Sequence, residues 1–166
     1  MERIMIIGCG GAGKSTLARE LGRLTGLPVY HLDALYWKQG WEPTAKKEWA
    51  LKIEELASEP RWIIDGNYSS TMEIRLRNAD TIIFLDYSRW KNIYGIIKRR
   101  IMYRNKTRPD MHEGCKERLD WPFIKWIWQF EQQHAPVLRE KLQMFPKKKI
   151  YHFRNRKELM AWLASL

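Results

Sequence analysis

The eight residues Gly8-Cys9-Gly10-Gly11-Ala12-Gly13-Lys14-Ser15 constrain this chain more than any other stretch. They satisfy the spacing G-x-x-x-x-G-K-[ST], directly after an apolar-rich run over residues 2 to 7 and directly before Leu17, Leu21 and Leu24 at helical spacing. An apolar run without alternation is what a strand buried on both faces requires, and such strands belong to parallel sheets. The glycines let main-chain N–H groups turn inward around an anion, and the helix start adds partial positive charge. The stretch therefore predicts a strand, a phosphate-holding turn and a helix closed by Gly26 and Pro28. It specifies a phosphate site and not a reaction, because many activities share it.

The rest of the chain continues the alternation. Val29 to Leu32 reads as a second strand, and Thr44 as the cap of a helix running to about Glu59. Trp62 to Ile64 and Thr81 to Leu85 follow as strands, then helices over about Ser88 to Arg104 and Asp120 to Met144. Ile150 to Phe153 makes the fifth strand, and Lys157 to Leu166 an amphipathic closing helix. Five strands interleaved with helices predict an α/β fold: a parallel sheet covered on both faces, with ligands at the carboxyl ends of its strands. At 166 residues, without repeats or a linker, residues 1–166 are expected to form one domain.

No apolar run approaches the roughly 20 residues of a membrane helix, and the opening run is too short for a signal peptide, so a cytoplasmic protein is expected, without a membrane partner. Thirty Lys and Arg against nineteen Asp and Glu leave a charge of +11, which favours an anionic partner but does not separate nucleotide from nucleic acid. Oligomeric state stays open between monomer and homodimer.

Within the loop, Gly8, Gly10, Gly11, Ala12 and Gly13 supply the cradle, Lys14 the contact to the terminal phosphates, Ser15 a ligand for Mg²⁺, and Thr16 a hydroxyl for the α-phosphate. Asp65 ends an apolar strand in Trp62-Ile63-Ile64-Asp65-Gly66-Asn67, where a carboxylate holds metal-bound water beside Ser15; a plain turn aspartate is the alternative. Asp33 ends the second strand and either addresses an acceptor hydroxyl or caps a turn. Arg100, Arg104 and Arg108 recur every fourth residue beside Arg99, and on a persisting helix they form one stripe. Such guanidinium groups stabilise the charge dispersed in phosphoryl transfer, which makes residues 99–118 a candidate lid. A solvated basic face and a DNA-binding patch are the competing readings. ATP is the expected nucleotide, since Asn105-Lys106-Thr107-Arg108 puts arginine where the guanine-reading Asn-Lys-x-Asp run needs an acid.

The loop, the block His31-Leu32-Asp33-Ala34-Leu35-Tyr36-Trp37, the block Trp62 to Tyr68, and Thr107-Arg108-Pro109-Asp110-Met111 continuing to Gly114-Cys115 and Glu117-Arg118 together resemble the adenylate-kinase-like P-loop proteins of the DNA topology modulation (FlaR-like) family, nearly end to end. The resemblance implies a nucleoside-monophosphate-kinase fold with sheet order 2-3-1-4-5 and a helical lid after strand four. It implies that Arg99 or Arg100 contacts adenine or phosphate, and that Arg154 to Arg156 lie near the base-binding loop. Asn67-Tyr68 replaces the Phe-Pro-Arg of adenylate kinases, so the arginine that grips AMP is missing. The His31 to Trp37 block is similar in layout to shikimate and gluconate kinases. The expected activity is phosphoryl transfer from ATP-Mg²⁺ to a small hydroxyl- or phosphate-bearing acceptor; the alternative is an ATP-regulated DNA-binding protein that affects DNA topology.

Overall fold

β1 (Arg3–Gly8) forms the middle of a five-stranded sheet, and Ile4, Met5, Ile6 and Ile7 are all fully buried because layers pack on both of its faces. Met5 and Ile7 join one core layer with Trp49, Ile64 and Phe84, while Ile4 and Ile6 join the other with Leu17, Leu21 and Leu85. The alternation that the sequence hides therefore exists in space. The structure, a computed structural model, describes residues 1–104, 106–117 and 119–166. Asn105, from the run weighed for guanine reading, and Arg118, from the last block of the family resemblance, lie outside the described residues.

α1 (Lys14–Thr25) starts at Gly13 and ends on Gly26, whose left-handed backbone lets its N–H bond back to the Gly22 carbonyl. β2 (Val29–His31) is followed at once by the short α2 (Leu32–Tyr36), so Leu32 belongs to a helix and not to the strand expected there. β3 (Trp37–Lys38) and β4 (Glu42–Pro43) make an antiparallel ribbon before α3 (Lys46–Ser58). Thr44 is not the cap of α3; Ala45 occupies that position, and the Thr44 hydroxyl donates instead to the Tyr36 carbonyl at 2.6 Å, holding the ribbon onto α2. β5 (Trp62–Asp65) leads into α4 (Met72–Asn78), then β6 (Thr81–Leu85) and α5 (Arg89–Met102). α6 (Trp121–Gln129) is capped by Asp120 and joined to α7 (Ala135–Gln143) through a π turn over Phe130–His134. Pro136 lacks the N–H that an uninterrupted α-helix would need there, so the single long helix expected is two helices. β7 (Lys149–Phe153) and α8 (Arg156–Leu163) close the chain.

The sheet runs β2-β5-β1-β6-β7 with every neighbouring pair parallel. With the ribbon set aside, the five strands stand in the order 2-3-1-4-5. β1 thus has a strand on either side, and the loop after it opens at the carboxyl edge between Asp65 and Leu85. No helix among the described residues is long and apolar enough to cross a membrane.

Candidate functional site

The loop after β1 is clamped from behind by close backbone approach. Gly8, Gly11 and Gly13 have φ of 146°, 81° and 92°, a region that costs any other residue strain. A Cβ on Gly11 would collide with the Asn92 carbonyl of α5, and a Cβ on Gly95 of α5 would collide with the Gly11 carbonyl. A Cβ on Gly10 would lie 2.9 Å from the Phe123 ring of α6. The front of the loop is held by Asn67, whose Oδ1 accepts from the Gly8 N–H at 3.1 Å and whose amide donates to the Gly8 carbonyl at 2.9 Å. Ala12 is buried and Thr16 exposed. Lys14 Nζ donates to the carbonyls of Gly8 and Cys9 at 3.0 and 2.9 Å, and burial lowers its pKa against the opposing pull of Asp33 and Asp65. Those two carboxylates and Lys14 therefore share one neighbourhood.

Asp65 ends β5 as expected, and its Oδ1 lies 3.0 Å from His31 Nδ1. Its Oδ2 is buried with no hydrogen-bond partner among the described residues. A buried carboxylate oxygen left over at the phosphate loop has the hard, anionic character that a Mg²⁺-bound water seeks, so the donor set fits that ion. Asp33 lies in the first turn of α2, with its side chain 46% exposed. Its Oδ1 accepts from the Tyr68 hydroxyl at 2.9 Å, and its Oδ2 stands 3.9 Å from Arg108. Tyr68 adopts φ 34°, a strained value for a bulky residue, and it is over-determined by Arg75. That arginine is fully buried and donates to the carbonyls of Gly66, Asn67 and Tyr68.

Arg100, Arg104 and Arg108 do not form one helical stripe, because α5 stops at Met102. Arg104 is exposed in the following turn, while Arg108 sits in a loop whose two arms are joined by a bridge between Thr107 and Lys116. The physical reason is Glu117. Its side chain, only 1% exposed, places Oε1 2.8 Å from Arg99 Nε and Oε2 2.8 Å from Arg108 Nε, and its carbonyl accepts from Arg100 at 2.8 Å. The reversal brings Arg99 and Arg108, which a continuing helix would hold roughly 13 Å apart along its axis, to one buried carboxylate that offsets both charges. Arg108 Nη1 also donates to Asp110 at 3.0 Å. Burial pushes the Asp110 carboxyl up, but the Arg108 charge and a hydrogen bond from Ser15 outweigh it and hold the group below the usual carboxylate range.

Lys14, Ser15, Asp33, Asp65, Arg99 and Arg108 thus converge, whereas Arg104 stays outside. Arg154 follows β7 and lines a surface recess of about 280 Å³ with Ser88, Lys91, Asn155 and Arg156. Sequence reasoning missed the roles of Asn67, Arg75, Asp110 and Glu117. Asn67 was visible beside Asp65, but nothing in the spacing marks Arg75 or Glu117 as partners of residues far along the chain.

No family model and no curated protein matches this chain. Solved structures do. Shikimate kinase from Acinetobacter baumannii, determined in complex with shikimate, superposes with a TM-score of 0.62 at 16% identity, covering 99% of this chain and 94% of that one. Deoxyadenosine kinase from M. mycoides with bound dATP superposes with a TM-score of 0.51 at 14% identity, covering 99% of this chain and 98% of that one. At such identities the likeness is one of fold, and the fold is that of P-loop kinases.

Proposed function

We propose that this chain is a P-loop phosphotransferase that moves the terminal phosphoryl group of ATP to a hydroxyl of a small acceptor. The observation that carries this reading is the meeting of Lys14, Asp33 and Asp65 beneath Arg99 and Arg108. Kinase neighbours that cover the whole chain support the reaction class. The finer reading is an adenylate-kinase-like protein of the DNA topology modulation family, supported by the sequence blocks around Asp33, Asp65 and Arg108. Residues 1–166 act as one unit in this reading, with about 99–118 as its lid.

The loop N–H groups and Lys14 hold the β- and γ-phosphates, and Arg154 faces the base. Mg²⁺, held by Ser15 and through water by Asp65, would draw charge from the bridging and terminal oxygens. Asp33, with Tyr68 fixing one of its oxygens, accepts the acceptor's hydroxyl proton through the other. The freed oxygen forms a bond to the γ-phosphorus as the bond to the ADP oxygen breaks. Arg99 and Arg108 stabilise the charge spread over the equatorial oxygens, and the loop carrying Arg108 excludes water.

Arg75 does not serve as an acceptor clamp, since its guanidinium is spent on three main-chain carbonyls. A hydroxyl-bearing acceptor therefore suits the site better than AMP. The test is ADP release measured against a panel of nucleosides, sugars, hydroxy acids and nucleoside monophosphates, with Lys14→Ala as control. An acceptor that raises turnover in the native protein and not in the variant supports the reading. No stimulation by any acceptor, together with ATP binding unaffected by Lys14→Ala, refutes it, and salt-sensitive duplex DNA binding modulated by ATP would then support the alternative.

A further inference from the structure

α5 turns Asn92 and Ile96 into the protein, and its opposite side carries Trp90, Tyr94, Ile97 and Ile101. Steps of four, three and four residues place these side chains within an arc of about 60° on the helix. They are 68%, 60%, 47% and 71% exposed. α6 packs antiparallel beside this helix: Trp128 meets the Trp90 ring edge-on at 5.2 Å, whereas Phe123, earlier in α6, lies 5.7 Å from the Arg99 guanidinium, later in α5. Trp121 and Trp128, seven residues apart on one face of α6, are 73% and 40% exposed. The two stripes adjoin into one apolar surface.

We propose that this α5–α6 face is a homodimer interface, on which a second copy of the chain lays its own α5–α6 pair about a two-fold axis to complete a four-helix bundle. An antiparallel helix pair with an apolar outer stripe is half of such a bundle, and a two-fold axis lets one surface serve as its own complement. The six side chains expose roughly 900 Å², above the 300–600 Å² of the largest patch on a typical monomer and close to the 800 Å² that each partner gives a standard interface. Lys91 and Lys98 are exposed at its margin, where a polar rim stays solvated, and Lys125, exposed on the α6 face between Trp121 and Trp128, carries its charge to water on a long apolar stem. Arg99 leaves α5 on the side away from the stripe, so the phosphate site stays open in the dimer and the two proposals stand independently.

Each copy carries +11, so charge repulsion opposes pairing while apolar burial drives it. Salt screens the first and spares the second. Sedimentation velocity over roughly 1–50 μM protein, at low salt and at about 0.5 M NaCl, is the test. The expected result is a species of twice the 20.0 kDa chain mass that tightens as salt rises. Ile97→Glu combined with Ile101→Glu alters only exposed side chains, and is expected to give a monomer with unchanged circular dichroism. Tyr94→Arg gives the same reading if the double variant loses its helical signal. A native protein that stays monomeric, a dimer that survives these substitutions, or association that salt abolishes would overturn the proposal. So would a native monomer that instead binds phosphatidylserine-containing vesicles, which would assign the face to an anionic lipid surface.

Discussion

A single ammonium at position 14 does two jobs in this structure: it bridges the carbonyls of Gly8 and Cys9, and it offsets Asp33 and Asp65. Lys14→Ala is expected to lower kcat by at least about 100-fold, the scale of one lost transition-state donor, and turnover assays check it. Asp33→Asn removes proton acceptance but keeps the Tyr68 hydrogen bond, so it should lower kcat by about 10²–10⁴-fold with nucleotide affinity retained in calorimetry. Cys9 provides a pH signature. Burial raises its pKa from 9.0 to about 12, against the pull of Lys14. Between those values the unfolded chain has released the thiol proton and the folded chain keeps it, so the folded state binds more protons and stability falls as pH rises through the window. Alkylation of Cys9 at pH 9, followed by peptide mass, should accordingly be much slower in the folded than in the unfolded protein. Lys14 and Cys9 were both legible as residues of the phosphate loop. The burial that gives Cys9 its altered chemistry was not, because it comes from α6, more than a hundred residues along the chain.

Elements meet at this site through glycines and through one carboxylate. Gly95 lets α5 touch the back of the loop, and Gly95→Ala would drive a methyl group into the Gly11 carbonyl. The expected cost is about 1–3 kcal/mol, seen as a lower melting temperature together with weaker nucleotide binding. Glu117 fastens the proposed lid: without it Arg99 and Arg108 stand side by side in a largely buried place. Glu117→Ala should therefore weaken local closure by about 3 kcal/mol, so that amides over residues 106–117 exchange roughly 100-fold faster than in the native protein. Strand positions were readable because apolar runs interrupted by glycine and aspartate have few other uses. Whether α5 runs on far enough to carry Arg108 was not, since the periodic arginines satisfy helical spacing equally well whether or not the helix continues. Only the distant carboxylate decides between the two. α4 and the ribbon of β3 and β4 escaped for a related reason: each is too short to show a period.

Across the whole molecule, binding at the carboxyl edge of the sheet should register as stability, because the site draws on residues from α1, α2, β5, α5 and the loop that carries Arg108. ATP with Mg²⁺ at a hundred times its dissociation constant is expected to add about 2.7 kcal/mol, roughly 5–10 °C in melting temperature for a chain of this size. Thermal scans check this, and Lys14→Ala should abolish the shift. Contiguous residues alone were enough for the α/β alternation, for the strand order that the family resemblance implied, and for a glycine-rich loop with the spacing of a phosphate cradle. Tertiary structure alone decided which arginines enter the site, that Asp110 and Glu117 accompany them, and that a band of tryptophan and isoleucine on α5 and α6 is left facing outward. Local spacing sets which backbone turns are affordable, whereas the pairing of charges and the exposure of an apolar face depend on what the rest of the chain brings within a few ångströms.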